Sequence, residues 1–339
     1  MSNKAKRDKC HLSKRIRFAC ALILLSAPLT SQAAAPLATP DVDDIEYPSD
    51  EAPSAAEITL GAQLFFDTRL SLENDRSCAS CHNPDLGFGD GLRKSASSND
   101  TPLLRHTPSL YNLAWNQVFS WDGAISSLEE QALMPVVAVE EMNLPIAKLE
   151  KRLNGVPGYR RAFLAVYDDA DINKSHIARA LAAYLRSLTS TNSAFDAYLA
   201  GNKQALSPEA TRGLVLFEGK AQCNQCHDGA NFSDESFHSL GIDDRDLGRG
   251  GVLKEPSLNH TFKTPGLRNI SRSAPYMHDG SQPSLESVIR FYNDGGGPAN
   301  HKDKLVKKLD LSERDIADLI AFLGALSSNE IVVKPTAIK

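Results

Sequence analysis

Long apolar runs are scarce in this 339-residue chain. The longest, Phe18 to Leu29, is too short to cross a bilayer. No stretch alternates apolar and polar residues over several strands, which argues against a sheet-dominated fold. Positive charge is also in deficit, with 37 Lys and Arg against 42 Asp and Glu. That balance argues against a nucleic-acid partner. Methionine and tryptophan are few, at four and two residues, so soft ligands and indoles are confined to a handful of positions.

The apolar run at Phe18–Leu29 follows seven basic residues from Lys4 to Arg17 and precedes Ser31-Gln32-Ala33-Ala34-Ala35. A basic segment, a short apolar core and small residues are the layout of a cleaved secretion signal, here residues 1–35. Export implies a periplasmic protein whose mature form has no membrane span. Cys20 lies inside the apolar run rather than after it, which argues against a lipid anchor. Without residues 1–35 the chain has 30 bases and 41 acids, a net charge near −11. That charge favours a basic or locally basic protein partner.

Cys10 and Cys20 leave with the signal, and four cysteines remain. They fall in Cys78-Ala79-Ser80-Cys81-His82 and Cys223-Asn224-Gln225-Cys226-His227. Both match the attachment signature of c-type haem. Two thiols on one turn bond the haem vinyl groups, and the adjacent histidine becomes the proximal iron ligand. A redox Cys-x-x-Cys needs no following histidine. Two disulfides would leave both histidines idle, and a zinc site would leave the repeated pattern unexplained. Two covalently bound haem c groups are therefore expected, on His82 and His227.

The chain also repeats itself. Thr107-Pro108-Ser109-Leu110-Tyr111-Asn112 returns as Thr264-Pro265-Gly266-Leu267-Arg268-Asn269. Asp122-Gly123 returns as Asp279-Gly280 and Leu128-Glu129 as Leu285-Glu286, all at an offset of 157. The haem motifs are offset by 145, so the second half carries about twelve extra residues, expected as a surface loop at Gly241–Gly251. Helix signals are frequent. Ser54-x-x-Glu57 and Ser312-x-x-Asp315 predict capping boxes, Ser207-Pro208 a helix start, and His176–Leu188 has helical apolar spacing. The expected fold is mainly α: two cytochrome c-like haem domains related by duplication, at 36–202 and 203–339, with extensive irregular loops. The boundary is expected near Ala200–Ser207.

On these residues the chain resembles the bacterial dihaem cytochrome c peroxidase family, in its MauG-like branch, from about residue 55 to 325. The likeness rests on Leu64-Phe65-Phe66-Asp67, Ser77 to His82, Trp121-Asp122-Gly123, Leu128 to Ala132, Glu141-Met142 and Ala274 to Gly280. It implies that the haem on His82 is the catalytic one. Simple peroxidases of the family carry a displaceable distal histidine after the first motif, but Asn83 to Arg105 contains none. An open distal face is implied. Glu141 would be its acid–base residue, with Gln131 beside it and Pro135 lining the pocket. Trp121 matches a tryptophan between the two haems.

For the haem on His227, the resemblance implies Tyr292 as sixth ligand, fourteen residues past His278; Met277 is the alternative. His278 is carried over as a residue near this haem. A calcium ion between the domains is implied through Ser273 and Pro275, but His106 stands where the family has Asn, and histidine suits a hard cation poorly. His238, His260 and His301 lie in polar stretches and are expected at the surface; His176 is expected to be uninvolved. The function implied is reduction of hydrogen peroxide by electrons from a small cytochrome c or cupredoxin. In a MauG-like variant the electrons come from Trp or Tyr side chains of a protein substrate. A plain dihaem electron-transfer cytochrome is the alternative from another class.

Overall fold

A computed structural model describes residues 34–48, 51–98, 101–169, 171–243, 245–328 and 332–339. The expected export signal lies outside these residues except for Ala34 and Ala35. Among the described residues no helix is long and apolar enough to cross a membrane. The α-helices are α1 (Ala55–Phe65), α2 (Cys78–Cys81), α3 (Leu128–Val137), α4 (Ile146–Asn154), α5 (Pro157–Tyr167), α6 (Lys174–Ser187), α7 (Ala194–Leu199), α8 (Pro208–Glu218), α9 (Gly248–Leu253), α10 (Leu285–Asn293) and α11 (Glu313–Gly324). Two short strands, β1 (Phe237–His238) and β2 (Phe262–Lys263), pair antiparallel. The rest is turns and short 3₁₀ segments, so the mainly α expectation holds.

The caps explain where helices start. Ser312 and Asp315 make a complete capping box before α11, and Ser207 accepts from Ala210 N ahead of Pro208 in α8. Ser54 accepts from Glu57 N, but the reciprocal half of the expected box is missing. The Glu57 carboxylate is instead taken by Tyr167 Oη at 2.8 Å and by Arg179 at 3.6 Å. Helix α6 begins two residues before His176 because Asn173 caps it.

Each half is built on a crossed helix pair, α1 on α6 and α8 on α11. Glycine permits both crossings. A Cβ on Gly61 would stand 1.8 Å from the Ala180 carbonyl oxygen, and one on Gly213 would stand 2.0 Å from that of Asp318. One core gathers Leu64, Phe65, Phe88, Val136, Phe163 and Leu181; the other gathers Phe195, Phe217, Phe232, Leu319 and Phe322. Phe195 on α7 packs in the second core, while Leu188 belongs to the first. The termini cross over: Leu37 packs on the second core, Val332 and Ile338 on the first. Residues 34–339 form one compact unit.

The offset of 157 recurs in the backbone. Asn112 and Asn269 are both left-handed at φ 60°, as are Gly123 and Gly280 at 62° and 65°, and Ser120 and Met277 at 69° and 73°. The bridge Phe119–Ile125 has its counterpart in Tyr276–Gln282. Asn112 and Asn269 each accept from a serine backbone N–H, that of Ser190 and that of Ser328.

Candidate functional site

The first motif folds as helix α2, with Ser77 and Ser80 closing a capping box at its start. His82 follows directly, its backbone N–H donating to Cys78 O at 2.8 Å. Its ring Nδ1 lies 2.9 Å from Phe88 O. A carbonyl can only accept, so Nδ1 carries the proton and Nε2 keeps its lone pair. The second motif repeats this: His227 N donates to Cys223 O at 2.9 Å, and Nδ1 lies 2.9 Å from Phe232 O. Phe88 and Phe232 are both left-handed, at φ 64° and 57°, which turns each carbonyl under its histidine. Burial lowers the pKa of both imidazoles, keeping them neutral. These are the features of an oriented metal-ligating histidine.

All four thiols are unpaired. Burial pushes Cys78 and Cys223 up to about 12. Cys78 lines a small pocket beside Cys81, and the other three thiols stand on the wall of a large apolar space. That space is one cavity of about 670 Å³, which reaches from Cys81 and His82 to Cys223, Cys226 and His227. Free thiols, two neutral histidines with Nε2 available and a shared cavity fit two haem c groups.

Over the first motif, α3 and the turn after it form the facing wall. Gln131, Pro135 and Glu141 all line the cavity. Ser120 Oγ donates to Gln131 Oε1 at 2.8 Å and fixes that side chain. The turn is held by Glu141 N and Asn143 N donating to Ala138 O and by Met142 N donating to Pro135 O. Met142 is buried and anchors it. Burial, then the neighbouring Glu140 charge, raises the Glu141 pKa. A carboxyl so placed is suited to carry a proton to and from a group bound in the cavity.

Trp121 stands where the two halves meet. Its Nε1 donates to His106 O at 2.9 Å, and its own carbonyl accepts from Lys263 N at 2.8 Å. His278 is buried 6.5 Å from it, ring to ring, and stacks on Phe262 at 3.6 Å. The His278 carbonyl accepts from His106 N. All of these residues line the cavity.

Over the second motif, Leu285, Val288, Ile289 and Tyr292 turn one stripe of α10 towards the cavity. Burial, then the nearby Cys226 and Cys223, raises the Tyr292 phenol. Met277 lines the same cavity from its left-handed turn. Ser273 and Pro275 lie on the wall as well. His106 is buried with Nδ1 on Leu92 O at 2.9 Å.

Three expectations need correction. His238 is not a surface residue: it is half-buried between Asp234 at 2.9 Å and Asp303 at 2.6 Å. The hydrogen bond to Asp234, then those to Cys226 and Asp303, raise it to about 11. Its partner Asp303 is 65 residues away, so sequence spacing could not find it. His260 and His301 are half-buried too and stack at 4.3 Å. The Gly241–Gly251 segment is tied down rather than loose: Arg105 binds Asp246 at 2.6 Å and Asp122 at 2.7 Å. Among the described residues, Cys226, Asp234 and His238 form the one close trio of His, Cys, Asp or Glu ligand atoms.

A helical fold with two Cys-x-x-Cys-His motifs opening on one cavity defines a class, the c-type cytochromes with two haem sites. The family model described as di-haem cytochrome c peroxidase matches residues 55–204. The methylamine utilization protein MauG of Methylorubrum extorquens is 40% identical over 296 residues, 86% of this chain and 84% of the relative. Cytochrome-c peroxidase IdrP1 of Pseudomonas sp. (strain SCT) is 35% identical over 342 residues, 91% of this chain and 90% of the relative. The crystal structure of a MauG-like protein associated with microbial copper homeostasis superposes with a TM-score of 0.77 at 30% identity, covering 90% of this chain and 96% of the other. The chain belongs to the di-haem cytochrome c peroxidase family.

Proposed function

We propose that the protein is a periplasmic, exported oxidoreductase that reduces hydrogen peroxide at the His82 site with electrons from an external protein donor. The observation that carries this reading is Glu141: a carboxyl of raised pKa on the cavity wall facing the first motif, with no histidine between Asn83 and Arg105 to close that face. Haem c bound at His82 and His227 supplies the iron at which peroxide oxygen is reduced and a second centre that stores an oxidising equivalent. Glu141 takes the proton from one peroxide oxygen and returns it to the other, so that water can leave. Gln131, fixed by Ser120, orients the peroxide, and Pro135 shapes the pocket. His82 and His227 are held by their Nδ1 bonds to Phe88 and Phe232, which fixes the direction of each Nε2. Trp121, gripped at its indole by His106 O, bridges the two sites for electrons.

A MauG-like variant, in which Trp or Tyr side chains of a partner protein are the donor, is favoured by Tyr292. A phenolate ligand on the second iron would favour its higher oxidation states. Export through residues 1–35 and haem-binding halves at 36–202 and 203–339 belong to the same reading. So does calcium on the Ser273 and Pro275 carbonyls, with no help from the His106 ring, which is engaged with Leu92. Stopped-flow mixing with peroxide tests the reading: parent protein reacts rapidly, and a Glu141→Gln protein that reacts as fast removes its basis.

A further inference from the structure

Trp121 and His278 are counterparts in the repeat, at the same offset of 157, and their rings lie 6.5 Å apart. The turns that carry them are held unequally. Asp279, the counterpart of Asp122, faces the Arg93 guanidinium at 3.5 Å. Asp122 accepts from Arg105 Nη1 at 2.7 Å, and the backbone beside it is gripped by a second arginine. Arg249 Nη1 donates to Gly123 O at 2.5 Å and to Asp122 O at 3.2 Å. The Arg249 guanidinium lies over the Phe237 ring, 4.6 Å from its centre, which fixes its direction. Phe237 is on β1, and Lys263 N on the partner strand β2 donates to Trp121 O.

Arg249 belongs to the Gly241–Gly251 segment, the stretch expected to hold the extra residues of the second half. That segment is seated on residues just ahead of β2: Arg249 N donates to Thr261 O and His260 N donates to Leu247 O, each at 2.9 Å. Its Asp246 accepts from Arg105 Nε at 2.6 Å and Nη2 at 2.9 Å, so Arg105 ties the segment to the Asp122 carboxylate as well. The Trp-Asp-Gly turn of the first half is thus clamped by an addition that belongs to the second. Arg249 stands outside the cavity wall, and its contact with the site runs through this turn.

We infer that Arg249 is a positioning residue for the path between the two haem sites, fixing the turn that carries the Trp121 indole. The inference rests on the bridging role proposed for Trp121. An indole has one N–H, here engaged with His106 O, so the rest of its orientation is set by the backbone that carries it. Charged donors on two adjacent carbonyls are among the stronger holds on a turn. A shift of about 1 Å in an aligned group costs up to about 10²-fold in rate.

The test is one-electron reduction of ferric holoprotein by a flash-generated flavin semiquinone, without peroxide, followed in the Soret band as the electron redistributes between the haems. In Arg249→Ala the redistribution is about tenfold slower than in the parent. The equilibrium potentials of both haems stay unchanged, whereas a general loosening of the haem pockets would move them. Arg249→Lys, which keeps a cationic donor, recovers part of the rate. In a Trp121→Phe background the Arg249→Ala change has no further effect, because both residues act on one path. A parent-like rate in Arg249→Ala, or equal slowing in both backgrounds, overturns the proposal. Trp121→Phe at the parent rate removes the bridging role and the proposal with it; a slow Trp121→Phe beside a fast Arg249→Ala sinks the positioning role alone. Because no peroxide is used, failure of the peroxidase reading leaves the result readable.

Discussion

Replacing Glu141 by glutamine removes a proton carrier and almost no volume. The turn that holds residue 141 is made by backbone bonds among Pro135, Ala138, Met142 and Asn143, so the substitution leaves the wall standing. Gln131 keeps its bond from Ser120. What is lost is general acid–base catalysis, worth about 10²–10⁴-fold in rate. At about 1.4 kcal/mol per decade, that is about 3–5 kcal/mol of barrier. The pH dependence carries a second signature. Glu141 must be ionised to accept the first peroxide proton, and burial together with Glu140 raises its pKa. The parent rate therefore falls as pH drops through a value above that of an ordinary glutamate, and the profile of the Glu141→Gln protein loses this step. The assay is stopped-flow decay of the Soret band after mixing with peroxide. A variant with the parent rate, or a slow variant that keeps the same pH step, refutes the assignment.

The sixth ligand of the second iron is separable by spectroscopy: Tyr292→Phe changes the low-spin signals and Met277→Leu leaves them intact, and the reverse pattern makes Met277 the ligand. Gly213→Ala forces a methyl against the Asp318 carbonyl where α8 crosses α11, and thermal unfolding reports a loss of at least about 1–3 kcal/mol. Parent-like stability would mean that the crossing is looser than the structure has it. Arg268 and Asp196 are a buried pair at 2.8 Å, with side chains 2% and 5% exposed. Asp196→Ala strands the guanidinium and costs about 3–5 kcal/mol in chemical denaturation. Burial alone would raise the Asp196 pKa, but hydrogen bonds from Arg268 and Ser193 more than offset it and lower the value. A lowered folded pKa means this stability is full above the ordinary aspartate range and fades as pH falls through the folded value. Denaturation midpoints that ignore pH on the acid side would contradict that.

What could be read without coordinates was whatever sits close together in the chain. Both attachment motifs are contiguous, so sequence alone locates them to the residue, and the constant offset of 157 has a counterpart in the paired turns at Asn112 and Asn269. Helix starts were legible where a cap precedes an apolar run, as at Ser207 and Ser312. Ser54 misled in part because Glu57 has better partners in Tyr167 and Arg179, which lie on other helices. Glu141, Gln131 and Trp121 were reached by family likeness alone, since each would pass for an ordinary helix or turn residue by pattern. The missed features all depend on distant pairs: His238 with Asp303, Arg105 with Asp246, and Arg268 with Asp196.

The proposed chemistry needs an open face at the iron that His82 would hold and a closed one at the iron that His227 would hold. A low-temperature EPR spectrum of the ferric holoprotein, recorded before and after adding peroxide, tests it directly. One high-spin and one low-spin haem are expected, with the high-spin signal lost on addition. Two low-spin haems whose signals ignore peroxide would contradict it.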